Sequence, residues 1–490
     1  MICTIDGTRL THAADPTASR DAENGLVTGT TLNTVTDSWT PNTYGEPGSY
    51  TASSASGDLY SVPYTSDDLR RITQKAETIL GDQMTWDYVY DTAGRLTNST
   101  LTTPGRSFPT SYAYDDNSNR LSKVGQFGTE TGAYDAQDRM TTYGPCAYAY
   151  TANGELTTKT CGSEETTYQY DTLGNLTHVT MPDGIALDYV IDPAGRRVGK
   201  TVNGVLVSGF LYRDSLAPAA QLDGSGNIVD RFVYGTHRNV PDYVTTGGNT
   251  YRYITDQLGS VRLVVDASTG TVAQRLDYDG FGRIIRDTSP GFQPFGFAGG
   301  LYDPQTGLTR YGSRDYDPNT GRWLSKDPLG FAAPGTNFFG YVLGDPVNLY
   351  DQSGLCPACK PCDDCPSGRW SYFGGGGSFF VGIGITIGHG TFTCVGKPTM
   401  QVRVKGGCFG VGIILAAGIG AEGTLGFREA TGCNSGDLLG AGKGLFAAIG
   451  PFSVTETWGE KGNFGGMLVG LGKSIGAGAA YLPLCYLSRR

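Results

Sequence analysis

Hydrophobic and polar residues alternate along much of the first 355 residues, and each alternating segment ends in a turn-forming motif. Segment 85–90, Thr-Trp-Asp-Tyr-Val-Tyr, is typical, because its aromatic residues fall on every second position. A period of two predicts a β-strand with one buried face. The following Asp91-Thr-Ala-Gly94-Arg95 begins with a residue that can bond its own downstream backbone and contains the glycine that a tight reversal needs. The pattern therefore predicts β-hairpins.

This strand-and-turn unit recurs from about residue 59 onward. Successive aligned turn positions between 91 and 192 are 16 to 24 residues apart, as expected for strand-turn-strand units. The units are YTSDDLRRI (64–72), YDTAGRLTN (90–98), YDDNSNRLS (114–122), YDAQDRMTT (134–142), YTANGELTT (150–158), YDTLGNLTH (170–178) and VIDPAGRRV (190–198).

A single hairpin is marginally stable, so successive hairpins are expected to join in one long curled sheet with tyrosine ladders on one face. The arginine after each turn glycine is expected to meet the acidic groups of the next turn. An ordinary β-solenoid or sandwich with coincidental Tyr-Asp pairs is the alternative interpretation of the same pattern.

Composition supports β structure and divides the chain in two. Gly (74 residues) and Tyr (29 residues) are abundant, which favours turn-rich sheets over helical bundles. The chain has a net charge of −10, and most of its acidic residues lie upstream of residue 356, whereas the remainder is slightly cationic. An acidic scaffold argues against nucleic acid as its partner. The first residues, MICTIDGTRL, show no secretory signal, and no uninterrupted apolar stretch of membrane-spanning length is present.

The repeated units resemble the YD repeats of Rhs and teneurin proteins, including the C subunits of insecticidal toxin complexes. The resemblance covers residues 59–355 and implies a mainly β fold: YD-repeat hairpins in a spiralling, cocoon-like sheet, followed by a Gly-rich C-terminal module of β or mixed structure. Such shells usually have more repeats, so we expect the C-terminal piece of a larger shell. The expected domains are an N-terminal flank of the shell (1–58), the YD-repeat shell (59–295), an Rhs repeat-associated core (296–355) and a variable effector module (356–490).

The segment from Asp256 to Leu355 is similar to the Rhs repeat-associated core, through GLYDPQTGLTRYGSRDYDPNTGRWLSKDPLG (300–330) and GYVLGDPVNLYDQSGL (340–355). The resemblance implies that this core plugs the shell and cuts the chain after Gly-Leu, between Leu355 and Cys356. It also implies an aspartic-protease-like pair with a supporting arginine. By position, these are Asp327, Asp351 and Arg314.

Two close carboxyls and an arginine suit this reaction. The two carboxyls cannot both ionise when they are close together. One therefore holds a proton and polarises the scissile carbonyl, while the other activates water. The arginine orients a carboxylate and stabilises developing negative charge. Asp351 precedes Gln352 where the family usually has proline, and Lys326 precedes Asp327. Asp345 is the alternative second carboxylate, and a purely local turn role is the alternative for all of these aspartates.

Eight of the eleven cysteines follow Leu355. The first four, Cys356, Cys359, Cys362 and Cys365, have three-residue spacing and are weak candidates for zinc, with Cys394 and Cys408 as further ligands. Disulfides formed outside the cytoplasm and free thiols remain open alternatives. His389 is the only histidine after residue 355, which disfavours a Cys-His catalytic dyad. No cofactor is expected.

The C-terminal module alternates apolar and small residues, as in Val381-Gly-Ile-Gly-Ile-Thr-Ile387, which predicts strands. Small residues allow close packing in membranes, so a membrane-permeabilising effector is favoured over an enzymatic cargo of unknown class. A soluble Gly-rich β domain whose apolar residues form its core is an open alternative for this module. The resemblance implies a bacterial polymorphic toxin of interbacterial competition, delivered or secreted by a specialised system, with an immunity protein as partner and carbohydrate binding as a minor expectation. A cell-surface adhesion protein without cleavage is the remaining alternative.

Overall fold

The computed structural model describes residues 17–21, 27–42, 46–237, 239–333 and 335–355, and eight strands between residues 369 and 489. Contacts divide the chain into two units, Met1–Ala358 and Cys359–Arg490. In the described parts, regular structure consists of antiparallel strands and three short 3₁₀ turns, Phe297–Gly299, Gly330–Ala332 and Val342–Gly344. The predicted mainly β fold is confirmed.

Twenty-six strands of the first unit form one sheet, in which each strand pairs with the next along the chain. The described strands begin at Thr17, within the expected flank, and continue in the same sheet. The strands are β1 Thr17–Arg20, β2 Val27–Leu32, β3 Val35–Pro41, β4 Pro47–Ser54, β5 Gly57–Ser66, β6 Ile72–Ile79, β7 Asp82–Tyr90, β8 Leu96–Thr103, β9 Arg106–Tyr114, β10 Arg120–Gly125, β11 Gly128–Tyr134, β12 Met140–Tyr143, β13 Cys146–Tyr150, β14 Leu156–Cys161, β15 Glu164–Tyr170, β16 Leu176–Thr180, β17 Ala186–Ile191, β18 Arg197–Val202, β19 Val205–Tyr212, β20 Pro218–Asp223, β21 Ile228–Val233, β22 Tyr243–Thr246, β23 Asn249–Thr255, β24 Val261–Asp266, β25 Val272–Tyr278 and β26 Ile284–Asp287.

The Asp-x-x-Gly-Arg turns have a common hydrogen-bonding pattern. Asp91 Oδ1 accepts from the backbone N–H of Ala93 (3.0 Å) and Arg95 (2.9 Å). Gly94 has φ +87°, which favours glycine at this position. Arg95 Nε returns to Asp91 Oδ2 at 2.7 Å. The turn is thus closed by side chains from both of its ends.

The turns are also tied to their neighbours along the sheet. Arg95 donates to the backbone carbonyl of Asp115 and stacks its guanidinium over the ring of Tyr114, 5.0 Å from the centroid. The Tyr114 hydroxyl donates 2.8 Å to the carbonyl of Leu96. The expectation that the arginine meets the acidic side chain of the next turn is therefore wrong at this turn: it pairs with the carboxylate of its own turn and with the carbonyl of the next, because its Nε lies beside its own aspartate.

Residues 295–355 form a second, smaller structure that packs on the large sheet. Its four strands are β27 Leu301–Asp303, β28 Leu308–Tyr311, β29 Arg314–Asp317 and β30 Arg322–Trp323. Its aromatic residues share one buried cluster with residues of β21 to β25, and so form a common hydrophobic core. The members of that core in the smaller structure include Phe295, Phe297, Tyr311, Tyr316, Trp323 and Tyr341.

Buried polar contacts also join the smaller structure to β17 and β18 of the large sheet. Arg197 of β18 lies 2.9 Å from Asp315 Oδ1, and Arg310 lies 2.9 Å from Asp315 Oδ2. Tyr189 of β17 donates 2.6 Å to Asp303 Oδ2. Because these groups are buried, their geometry fixes the smaller structure against the sheet.

A disulfide joins Cys146 and Cys161, which are direct partners on β13 and β14. The sequence analysis did not identify this bond. A signal was present, since the two cysteines flank the repeat turn at residues 151–155 on facing strands.

The second unit contains an eight-stranded antiparallel sheet in the order β34-β31-β32-β33-β38-β35-β36-β37. The end strands β34 and β37 also contact each other. The strands are β31 Arg369–Val381, β32 Ile383–Cys394, β33 Lys397–Ile414, β34 Gly426–Thr431, β35 Gly440–Ile449, β36 Phe452–Gly459, β37 Gly465–Leu471 and β38 Ala477–Arg489. Among the described residues, no helix is sufficiently long and apolar to span a membrane.

Candidate functional site

The tight turn between β28 and β29 places Arg314 at the start of β29. Gly312 in this turn has φ +42°, and a Cβ atom there would lie 2.4 Å from the carbonyl oxygen of Ser353. The N–H of Ser313 donates 2.9 Å to that same oxygen. Glycine is therefore required because the segment ending at Leu355 docks directly on this turn.

Asp327 follows β30 in an Asp-Pro turn. Its Oδ1 accepts from the N–H of Leu329 at 2.9 Å, and its own N–H donates 2.8 Å to the carbonyl of Phe338. Lys326, next to it, is exposed, with its side chain beside Gly154 of the large sheet. The carboxylate and the neighbouring lysine thus lie in different surroundings.

Asp351 begins the turn that ends the segment. Its Oδ1 accepts from the N–H of Ser353 (3.2 Å), the Ser353 hydroxyl (3.1 Å) and the N–H of Leu355 (3.2 Å). The carboxylate of Asp351 therefore contacts the backbone of Leu355, the residue that precedes the Leu355–Cys356 bond.

Arg314 contacts both of the aspartates that the resemblance implied. Its Nη2 lies 2.7 Å from Asp327 Oδ2 and 3.5 Å from Asp351 Oδ2. Its Nε donates to the carbonyl oxygen of Gly354, and its Nη1 donates 3.2 Å to the carbonyl of Phe338. One guanidinium therefore contacts both carboxylates and the backbone next to Leu355.

The site is almost completely buried. Arg314, Asp327 and Asp351 are 2%, 4% and 1% exposed. The indole of Trp323 covers the guanidinium, with 4.2 Å between Arg314 Cζ and the ring centroid. Electrostatic interactions gain strength in such surroundings, because little water screens them.

Burial raises the pKa of Asp327, and the negative charge of Asp351 raises it further, while Arg314 and the N–H of Leu329 oppose the shift. Asp327 therefore holds a proton at a higher pH than an ordinary carboxyl. Asp351 keeps three hydrogen-bond donors on Oδ1.

A partly open cleft with a cavity volume of about 130 Å³ lies beside this site. Arg314 and Asp327 contribute to its wall together with Phe338 and Tyr341. The cleft is large enough to hold water next to Asp327.

Asp345, the alternative second carboxylate, lies in a different contact network. Its carboxylate accepts from Asn348 Nδ2 at 2.8 and 3.0 Å, and Asn348 also donates to the hydroxyl of Tyr90. Burial raises the pKa of Asp345 to about 6. It thus ties the smaller structure to the large sheet.

Sequence reasoning did not identify Trp323 or Ser353 as parts of the site. Trp323 is part of the motif GRWLSKDPLG, and Ser353 lies between Asp351 and the terminal Gly-Leu, so their positions beside the trio were the available signal. The candidate ligands Cys356, Cys359, Cys362 and Cys365 lie outside the described residues. Within the described residues, no group of three His, Cys, Asp or Glu side chains could hold a metal ion.

Comparison with known proteins identifies the family. The teneurin YD-shell family model matches residues 7–341. Teneurin-3 of Danio rerio is 30% identical over 199 residues, which are 40% of this chain and 7% of that protein. The tRNA3(Ser)-specific nuclease WapA of Bacillus spizizenii is 29% identical over 244 residues, 47% of this chain and 10% of that protein. The matched regions are thus a tenth or less of these relatives.

Among solved structures, the pore state of the Photorhabdus luminescens Tc holotoxin has a TM-score of 0.57 at 18% identity, covering 69% of this chain and 19% of that one. At this identity the likeness shows the shared fold. Together with the family match over residues 7–341, it agrees with the repeated turns and the single meandering sheet. The chain therefore belongs to the teneurin YD-shell family of Rhs and YD-repeat proteins.

Proposed function

We propose that this chain is the C-terminal part of an Rhs-type toxin shell that cuts itself between Leu355 and Cys356 and so frees residues 356–490 as the effector. The observation that carries the proposal is the contact of one guanidinium, that of Arg314, with both Asp327 and Asp351 and with the Gly354 carbonyl. Such an arrangement is suited to peptide hydrolysis by a carboxyl pair.

In the proposed reaction, Asp351 takes a proton from water while the water oxygen attacks the carbonyl carbon of Leu355. Asp327, whose pKa is raised, donates a hydrogen bond to the developing oxyanion. The carbon–nitrogen bond then breaks, a proton passes to the departing amine of Cys356, and Leu355 is left with a carboxylate. Arg314 holds the two carboxyls and the neighbouring backbone in place.

Similar proteins support a toxin: one is the tRNA3(Ser)-specific nuclease WapA, and a solved structure with a similar fold is the Photorhabdus luminescens Tc holotoxin pore. For this chain we propose a delivered or secreted effector with a specialised delivery system and a cognate immunity protein as partners. Its shell is not expected to bind nucleic acid.

For the effector we propose membrane permeabilisation. Its eight strands form one antiparallel sheet whose two end strands contact each other, and its sequence alternates apolar and small residues. The proximity of the end strands supports the proposal, because exposed sheet edges are costly in lipid.

The effector proposal is tested by expressing residues 356–490 in bacteria and following membrane potential together with the integrity of RNA, DNA and NAD. Depolarisation with intact nucleic acid and NAD supports permeabilisation. Degradation of any of these without depolarisation contradicts it and favours an enzymatic cargo.

A further inference from the structure

The segment that ends at the proposed cleavage site has the same turn geometry as the repeats of the shell. Tyr350-Asp351-Gln-Ser-Gly354-Leu355 matches Tyr90-Asp91-Thr-Ala-Gly94-Arg95 position by position. In both turns, Oδ1 of the aspartate accepts from the N–H groups two and four residues later. Both glycines have positive φ, +68° for Gly354 and +87° for Gly94.

The two turns differ in what reaches the second carboxylate oxygen. In most shell turns of this type, the residue four positions after the aspartate donates its side chain to Oδ2. The turn at Asp256 differs, because Ser260 bonds Oδ1 through its backbone N–H and its hydroxyl accepts from the N–H of Ala298. Arg95 does so at 2.7 Å, Arg139 at 2.6 Å and Arg196 at 2.7 Å, and Asn175 fills the same place at 2.9 Å. The side chain of Leu355 has no hydrogen-bond donor. The guanidinium that approaches Asp351 Oδ2 comes instead from Arg314, 37 residues earlier.

We propose that Leu355 is a specificity-determining residue for self-cleavage, because a side chain without a donor leaves Asp351 Oδ2 to Arg314 and so couples it to Asp327. The inference rests on the proposed self-cleavage. In the shell turns that have such a donor, Oδ2 of the aspartate is bonded within its own turn and is not shared with a second carboxyl. An arginine at 355 would rebuild such a turn and separate Asp351 from the site.

The test measures cleavage of the full chain, refolded from denaturant, by intact mass over time. Leu355→Arg is expected to slow cleavage on the order of 100-fold. Leu355→Met, of similar volume, and Leu355→Phe, which is bulkier, have no donor and are expected to be cut to completion, if more slowly. Leu173→Arg adds the same charge at an exposed position of a shell turn and is expected to leave the rate unchanged.

The pH dependence of the cleavage rate distinguishes the loss of the contact between Asp351 and Arg314 from an effect of side-chain size at residue 355. In Leu355→Arg the residual cleavage should lose the pH dependence set by the Asp327–Asp351 pair, whereas Leu355→Met and Leu355→Phe should retain it. Equal losses in Leu355→Arg and Leu355→Phe would overturn the inference, because bulk would then explain both. Wild-type cleavage of Leu355→Arg, with Asp327→Asn uncut, would also overturn it and leave the proposed self-cleavage standing. An uncut wild-type chain would instead contradict the proposed function and, with it, the inference.

Discussion

Arg314 and Asp327 form a buried ion pair, with 2.7 Å between Nη2 and Oδ2, that connects the first residue of β29 to the turn after β30. The same nitrogen lies 3.5 Å from Asp351 Oδ2. A single side chain thus holds two carboxyls that are 24 residues apart in sequence. The pair depends on the smaller structure being folded on the sheet.

Arg314→Lys should reduce self-cleavage by about 100-fold or more, because an ammonium group cannot contact both carboxylates and the Gly354 carbonyl from one position. Cleavage of the refolded chain, followed on a gel, measures the effect. Arg139→Lys makes the same substitution in a shell turn and serves as the control, with cleavage expected to be retained. Equal rates for wild type and Arg314→Lys would contradict the assigned role.

Self-cleavage should decline as pH rises. The raised pKa of Asp327 means that this carboxyl is protonated at low pH and stays so to a higher pH than an ordinary carboxyl. Above the pKa of Asp327 this proton donor is lost, so the rate falls. The chain is refolded into buffers from pH 4 to 9, and the initial rates of cleavage are compared. A rate that increases steadily to pH 9 would contradict this assignment.

Asp345 should make the folded chain less stable as pH rises from about 4 to about 6. Its pKa is raised to about 6 in the fold, so the folded chain keeps a proton that the unfolded chain has lost in this window. The contribution is present below pH 4 and is lost as pH rises through 6, a difference on the order of 3 kcal/mol. Thermal unfolding midpoints of wild type and Asp345→Asn across this range measure it, and parallel curves would contradict it.

Glu77→Gln should destabilise the shell by about 3–5 kcal/mol, because it leaves the buried guanidinium of Arg262 without one of its carboxylates. Burial alone would raise the pKa of Glu77, but Arg262 and Lys75 outweigh burial and lower it to about 2. The stabilisation is therefore present above about pH 4.5 and is lost as pH falls toward 2. Urea unfolding at pH 7 measures the change, with the exposed Glu164→Gln as control; equal midpoints would contradict the assignment.

Replacing Cys146 and Cys161 together by serine should lower stability by about 3 kcal/mol, the cost expected for opening a loop of 15 residues. Urea unfolding of the oxidised wild type and the double variant provides the comparison. The Cys146–Cys161 bond lies at the end of β13 and β14 that is away from the turn at residues 151–155, and it is this turn that contacts Lys326 beside Asp327. Self-cleavage is therefore expected to persist. Coincident unfolding curves for the two proteins would contradict the assigned contribution.

The local fold could be predicted from the sequence because strands and turns are encoded over short distances. The alternation in segment 85–90 and the glycine at 94 specify a strand and a reversal wherever the rest of the chain lies. The partners of Arg95 could not be predicted with the same success, because its distance from two successive turns depends on sheet geometry. The Cys146–Cys161 bond also required the strand register.

The site could be proposed from resemblance, whereas its geometry required the fold. Asp345 and Asp351 both lie in turns close in sequence, and their residue types do not reveal which one meets Arg314. The docking of Ser353 against Gly312 decides this, since it carries Asp351 to the guanidinium. The identity of Trp323 as the cover of Arg314 likewise follows only from three-dimensional packing.

The most direct test of self-cleavage is the intact mass of the purified chain beside its Asp327→Asn and Asp351→Asn variants. If Asp327 and Asp351 carry out self-cleavage, the wild-type chain gives two fragments, the second beginning at Cys356, and each variant gives a single full-length species. A wild-type chain that remains one species of 490 residues would contradict self-cleavage. Variants that are cut at Cys356 as completely as wild type would contradict the role of the two aspartates.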